Sequence, residues 1–267
     1  MALVYSRAMT RSAVYACITL CVLAWVTASQ VLARELAIAA AADLKYALTE
    51  VVEQFRASQP DARIEVIYGS SGKFYTQIKN GAPFDLYLSA DIEYARRLER
   101  EGLAAYPART FAVGRLVLWS HRPELARTAL KDLPRAGLRR FAIANPQHAP
   151  YGVRAREALK HQGVWEALQS RLVLGENVAH TAQFVDSGAA DAGIVALSLV
   201  LSPTLAGKGA WTLIPEGWHT PLEQGVLVTR RAAGNRLARE FADSLMAEPA
   251  RTILRRYGFA LPGEGGR

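Results

Sequence analysis

The run Gly69-Ser70-Ser71-Gly72-Lys73 follows an alternating, strand-like stretch (63–68) and opens a helix-like one (73–80), where a phosphate loop would sit. It is not a nucleotide loop. That motif requires G-x-x-x-x-G-K-[ST], and here Ile67 stands at the first glycine and Phe74 at the magnesium-binding hydroxyl. What remains are hydroxyls and peptide N–H groups at the start of a helix. Such an end has unpaired donors and about half a positive charge, so it binds an anion without a cationic side chain. Four helices begin in this way, after Ala42, Ser71, Tyr151 and Val178. Read singly, Ser71 is a helix cap, Tyr151 a packed tyrosine and Val178 a core residue offering only its N–H. The signal is their joint occurrence.

Four such ends converging on one oxyanion would suffice energetically. Hydrogen bonds to a charged group contribute roughly 1.5–3 kcal/mol each. About seven give on the order of 10–20 kcal/mol gross, against about 8–12 for a micromolar to nanomolar site. The arrangement also avoids desolvating an arginine or lysine.

Catalysis is not expected. The histidines, His121, His148, His161, His180 and His219, show no H-E-x-x-H spacing, and Gly69-Ser70-Ser71-Gly72 is not G-x-S-x-G. His180, Asp186 and Ser187 share one helical pattern, which cannot arrange them as a triad. No cofactor is implied.

The elements that must position these loops are legible as periodicity. A buried strand (36–41) precedes a helix (43–58) whose Leu44, Ala47, Leu48, Val51, Val52 and Phe55 follow helical spacing, with Asp43 at its cap. A second strand (63–68) leads through the serine loop to a helix (73–80). A third (85–89) leads to a helix (92–101) closed by Gly102. Strand and helix repeated three times indicate an open, mostly parallel α/β sheet. Right-handed crossovers bring its strand-to-helix loops to one edge, where ligands bind.

After an apolar strand (115–120) the pattern restarts. It reads strand 140–144, loop 145–152, helix 153–162, strand 172–174, helix 179–187 and strand 192–196. A last strand (223–229) and two helices (235–245, about 250–257) close the chain. The expected fold is two lobes, each an open α/β sheet, around a cleft. Strands 115–120 and 223–229 would form the hinge. Residues 34–117 with 223–267 are expected in lobe I, and 118–222 in lobe II.

Residues 1–33 read as a cleaved export signal. Arg7 and Arg11 form a basic start, 13–26 is apolar but for Thr19, and Val31-Leu32-Ala33 ends in a small-residue cleavage pattern. The apolar run is shorter than the roughly 20 residues of a membrane span. Both cysteines, Cys17 and Cys21, lie in this segment. The exported chain therefore has no disulfide, thiol nucleophile or thiolate metal site. The formal net charge of +8 is spread as pairs such as Arg96-Arg97 and Arg139-Arg140, without a basic block interleaved with aromatics, so no nucleic-acid surface is indicated.

The segments ADLKYAL (42–48), GSSGKFYTQIKNGAPFDLYLSAD (69–91), RLVLWS (115–120), IANPQHAPYG (143–152), GENVAHTAQFVDSGAADAGIVALS (175–198) and RRYGF (255–259) resemble the periplasmic molybdate-binding protein of molybdate ABC importers. The likeness runs from about Leu36 to Phe259. It implies the type II two-lobed periplasmic solute-binding fold. It also implies a monomeric receptor, a molybdate or tungstate dianion held by neutral donors, and a membrane permease with its ATPase as partners. The family's ligand positions fall on Ala42 and Asp43, on Ser71, on Tyr151 and on the Val178 backbone. A tyrosine used by some members falls on Ala196. Asp43 departs from the family's Ser or Asn. Two readings stand: the carboxylate turns away and caps its helix through the Lys45 or Tyr46 N–H, or it faces the site and accepts a proton from a protonated anion. Tyr151 can contribute its side chain or its N–H. Another oxyanion, sulfate or phosphate, or a small organic anion is the alternative ligand.

Overall fold

The computed structural model describes residues 34–263; the export signal expected over 1–33 lies outside the described residues. Two five-stranded sheets organise the chain. The first has the order β2-β1-β3-β10-β4, from β1 (Arg34–Ala41), β2 (Ala62–Gly69), β3 (Leu86–Ser89), β4 (Arg109–Gly114) and β10 (Leu222–Val228). The second has the order β7-β6-β8-β5-β9, from β5 (Leu116–Ser120), β6 (Phe141–Ala144), β7 (Leu172–Gly175), β8 (Ala192–Ala196) and β9 (Ala210–Leu213). The chain passes between sheets at Arg115, so Leu116 and Val117 pair within the second sheet, opposite Ala196 and Val195.

Each sheet contains parallel pairs whose strands lead into helices. β1 and β3 run parallel with Ile38 opposite Leu86, and β6 runs parallel to both β7 and β8. The central residues of β1, β3, β6 and β8 are apolar on both faces, as expected for strands covered by helices on each side; Ile38, Leu86, Phe141 and Ala192 are fully buried, whereas Leu174 on the edge strand β7 is exposed. β10 is antiparallel to β3 and β4. Its register against β4 shifts between Gln224 and Gly225, a bulge that re-aims a side chain locally.

Two strands were not anticipated from the sequence, Arg109–Gly114 and Ala210–Leu213. The second is an edge strand, largely exposed, with Trp211 and Leu213 facing solvent. The helix expected at 153–162 begins earlier, at Pro150. Proline is well suited to a first helical position, where its missing N–H costs nothing. Tyr151 is therefore in the first turn of a helix rather than in a loop. No helix among the described residues is long and apolar enough to cross a membrane.

Candidate functional site

Strand ends of both sheets deliver short turns to one place. β1 ends at Ala41 and continues into a 3-10 turn, Ala42–Leu44. β2 ends at Gly69, Ser70 caps the next helix through its extended backbone, and Ser71 is the first residue of that Ser71–Lys79 helix. From the second sheet come the starts of the helices Pro150–His161 and Val178–Asp186, the latter capped by Asn177, whose side chain accepts from the His180 N–H. Ala42, Asp43, Ser71, Tyr151 and Val178 line one small cavity, together with Ser70, Asn177 and neighbouring residues. No lysine or arginine lines it.

The two sheets' elements touch closely here. Ser70 Oγ donates to the His148 carbonyl at 2.7 Å and lies 2.8 Å from its Nδ1. The Gly72 N–H donates to the same carbonyl at 2.9 Å. Gly72 is required by that approach: a Cβ there would stand 2.6 Å from the His148 oxygen. Burial, then the Lys73 charge, pushes the His148 pKa down. Further out, Lys73 pairs with Glu176 at 2.8 Å, and Arg154 with Asp91 at 2.8 Å and Glu157 at 3.1 Å. Lys73 and Arg154 are thus already held by carboxylates.

Ser71 is placed to donate. Its Oγ accepts the Ala90 N–H at 3.0 Å, and its carbonyl accepts the Tyr87 hydroxyl at 2.7 Å. With an acceptor lone pair occupied, the hydroxyl hydrogen remains to be given. Ala42 and Val178 offer backbone only. Ala196, at the end of β8, is buried and has no hydroxyl to offer.

Asp43 does not cap its helix. The Lys45–Ser58 helix has Leu44 at its N-cap and no side-chain capping bond. Instead Asp43 is 1 % exposed, and its Oδ2 accepts the Tyr151 hydroxyl at 3.0 Å and the Gln224 amide at 2.9 Å. The Asp43 carbonyl accepts the Ser198 hydroxyl at 2.7 Å. A tertiary network drawn from both sheets has won over the local cap. Asp43 Oδ1 and Gln224 Oε1 are buried without a partner among the described residues. Burial raises the Asp43 pKa from 3.8 to about 7, against the lowering effect of the bonds from Tyr151 and Gln224 and of the nearby Asp43 and Leu44 N–H groups. Burial, with Asp43 beside it, pushes the Tyr151 hydroxyl well above its ordinary value. Tyr151 therefore spends its side chain on Asp43, and its OH sits where a Cβ on Gly114 would come within 2.3 Å.

Sequence reasoning did not single out Gln224, Ser198 or His148. Gln224 carried a faint signal, a lone amide heading an apolar strand. The other two depend on contacts more than 70 residues away and have no local signature.

Two α/β sheets, a cleft fed by their strand ends, and donors from both sides define a two-lobed solute-binding protein. Residues 36–260 match the family model for bacterial extracellular solute-binding proteins. The molybdate-binding protein ModA of Azotobacter vinelandii is 36% identical over 233 residues, covering 86% of this chain and 91% of that one. The Rhodobacter capsulatus ModA is 37% identical over 194 residues, 72% and 75% of the two chains. The solved structure of the Azotobacter vinelandii periplasmic molybdate-binding protein superposes with a TM-score of 0.79 at 32% identity, over 85% of this chain and 99% of that one. The chain belongs to the bacterial extracellular solute-binding protein family, whose members capture and present solutes and are not enzymes.

Proposed function

We propose that this protein is the extracytoplasmic receptor of an ABC importer for molybdate, with tungstate as a second ligand. The single observation that carries the reading is a cavity between helix starts of both sheets that contains hydroxyl and peptide donors and no cationic side chain, in a chain whose relatives are named for molybdate. In this reading Ser71 donates its hydroxyl, and Ala42, Tyr151 and Val178 donate peptide N–H groups to a dianion. Lobe I holds the first sheet, lobe II the second, and they close over the ligand about the crossings at Arg115 and before β10. The segment 1–33 directs export to the periplasm and is removed. The closed monomer docks on a membrane permease and its ATPase.

Molybdate and tungstate are fully ionised at neutral pH and suit a ring of donors, whereas sulfate is a smaller tetrahedron that would leave some donors out of reach. Titration calorimetry with molybdate, tungstate, sulfate and phosphate tests the reading. Molybdate and tungstate are expected to bind at least tenfold more tightly than the other two. Tight phosphate or sulfate binding without molybdate binding would overturn it.

A further inference from the structure

The departure at Asp43 places an acid inside a site for a dianion, and the hydrogen-bond inventory around it does not close. Oδ2 accepts two hydrogen bonds, from Tyr151 and Gln224. Oδ1 and Gln224 Oε1 are buried acceptors without a hydrogen-bond partner among the described residues, although the Asp43 and Leu44 N–H groups lie near enough to the carboxylate to lower its pKa. The network has more acceptors than hydrogens, and an anion arriving in the same cavity adds four more acceptor oxygens. One proton corrects the imbalance. An ionised carboxylate beside a dianion would be repelled, since like charges at contact disfavour the charged form.

We propose that Asp43 enters the complex as the neutral acid, donating from Oδ1 to the oxyanion, so that each anion bound takes up one proton from solution. This rests on the oxyanion reading above and specifies it. The balance is simple: carboxylate, solvent proton and dianion give a carboxylic acid hydrogen-bonded to the dianion, with no covalent bond to the metal oxide. The residue becomes a donor like the others, but one that exists only below a threshold pH.

The groups around Asp43 leave this role to it. Tyr151 from the Pro150–His161 helix stays a neutral phenol. Gln224 from β10 and Ser198 from the Leu197–Val200 helix do not titrate. The Val178–Asp186 helix adds His180 and Asp186, and the Lys45–Ser58 helix adds Lys45 and Tyr46; the main influences on Asp43 are burial and the bonds from Tyr151, Gln224 and the local N–H groups, not these four. Arg154 is committed to Asp91 and Glu157, and His148, lowered by burial, is uncharged above neutrality. Burial raises Asp43 to about 7, so the free side chain is largely ionised by pH 8.5 and has a proton to gain.

The test is calorimetric titration of molybdate into the full exported chain at pH 8.5, in two non-phosphate buffers of different ionisation enthalpy. The dependence of the observed heat on buffer should give close to one proton taken up per anion. Affinity should fall about tenfold per pH unit between pH 8 and 9. In Asp43→Asn, whatever its affinity, uptake should vanish and the profile should be level. Binding without proton uptake, or the same pH slope in Asp43→Asn, overturns the proposal and leaves the transport reading standing. No binding of molybdate, tungstate or sulfate from pH 6 to 9 overturns both. Should the variant fail to fold, the wild-type buffer pair alone decides.

Discussion

Asp43→Asn in the absence of any anion should make the protein more stable at alkaline pH, although a buried charge-capable residue has been removed. An acid whose pKa is raised on folding holds its proton in the native state while the unfolded chain has released it. Stability is therefore full below the unfolded value and falls as pH rises through the window from 3.8 to about 7. The full displacement corresponds to about 4 kcal/mol at 1.36 kcal/mol per unit. Between pH 5 and pH 8 the wild type should lose about 2.5 kcal/mol that the variant does not. Asparagine keeps an oxygen to accept from Tyr151 and Gln224, so packing changes little. Urea denaturation of both proteins at pH 5 and pH 8 measures this, because the titrations of all other groups cancel in the difference. A wild-type-minus-variant difference that does not move with pH would show that Asp43 ionises as an ordinary aspartate, and the reasoning from burial and the orphaned oxygen would be refuted.

Other perturbations separate the parts of the site. Ser71→Ala should weaken molybdate binding by about 1–3 kcal/mol, read by calorimetry; unchanged affinity removes the hydroxyl from the ligand set. Gly72→Ala should weaken binding by about 1–3 kcal/mol through overpacking against the His148 carbonyl, with scattering measurements showing a less compact liganded form. Tyr151→Phe removes a hydrogen bond that lowers the Asp43 pKa, so the alkaline limb of the stability profile should move to higher pH, as urea titrations across pH would show. Lys73→Ala should change stability by less than about 1 kcal/mol, because the pair with Glu176 is half exposed. Arg154→Met should cost about 3 kcal/mol, because it strands the largely buried Asp91.

Much of the frame was legible because its signals are local. The apolar spacing from Leu44 to Phe55 and the closure at Gly102, whose φ of +73° suits glycine, lie within one or two turns of the element they define. The four helix starts after Ala42, Ser71, Tyr151 and Val178 were legible from the sequence and Asp43 came from the resemblance, and these five residues line one cavity. What was not legible depends on distance along the chain. Arg109–Gly114 is a strand because β10 pairs with it, and its own residues alternate too weakly to say so. The capping role expected of Asp43 rested on its immediate neighbours. Partners 108 and 181 residues away take its Oδ2 instead. A buried acid satisfied on one oxygen only is a product of tertiary packing, and no window of sequence around residue 43 contains it.

A crystal structure with molybdate, the anion located by anomalous scattering at the molybdenum edge, tests the central claim most directly. It should place the tetrahedron among the turns at Ala42, Ser71, Tyr151 and Val178, with Ser71 Oγ and peptide nitrogens within 3.2 Å of its oxygens, a normal hydrogen-bond reach, and Arg154 and Lys73 still on their carboxylates. An arginine or lysine gripping the anion, or the anion bound elsewhere, would contradict it.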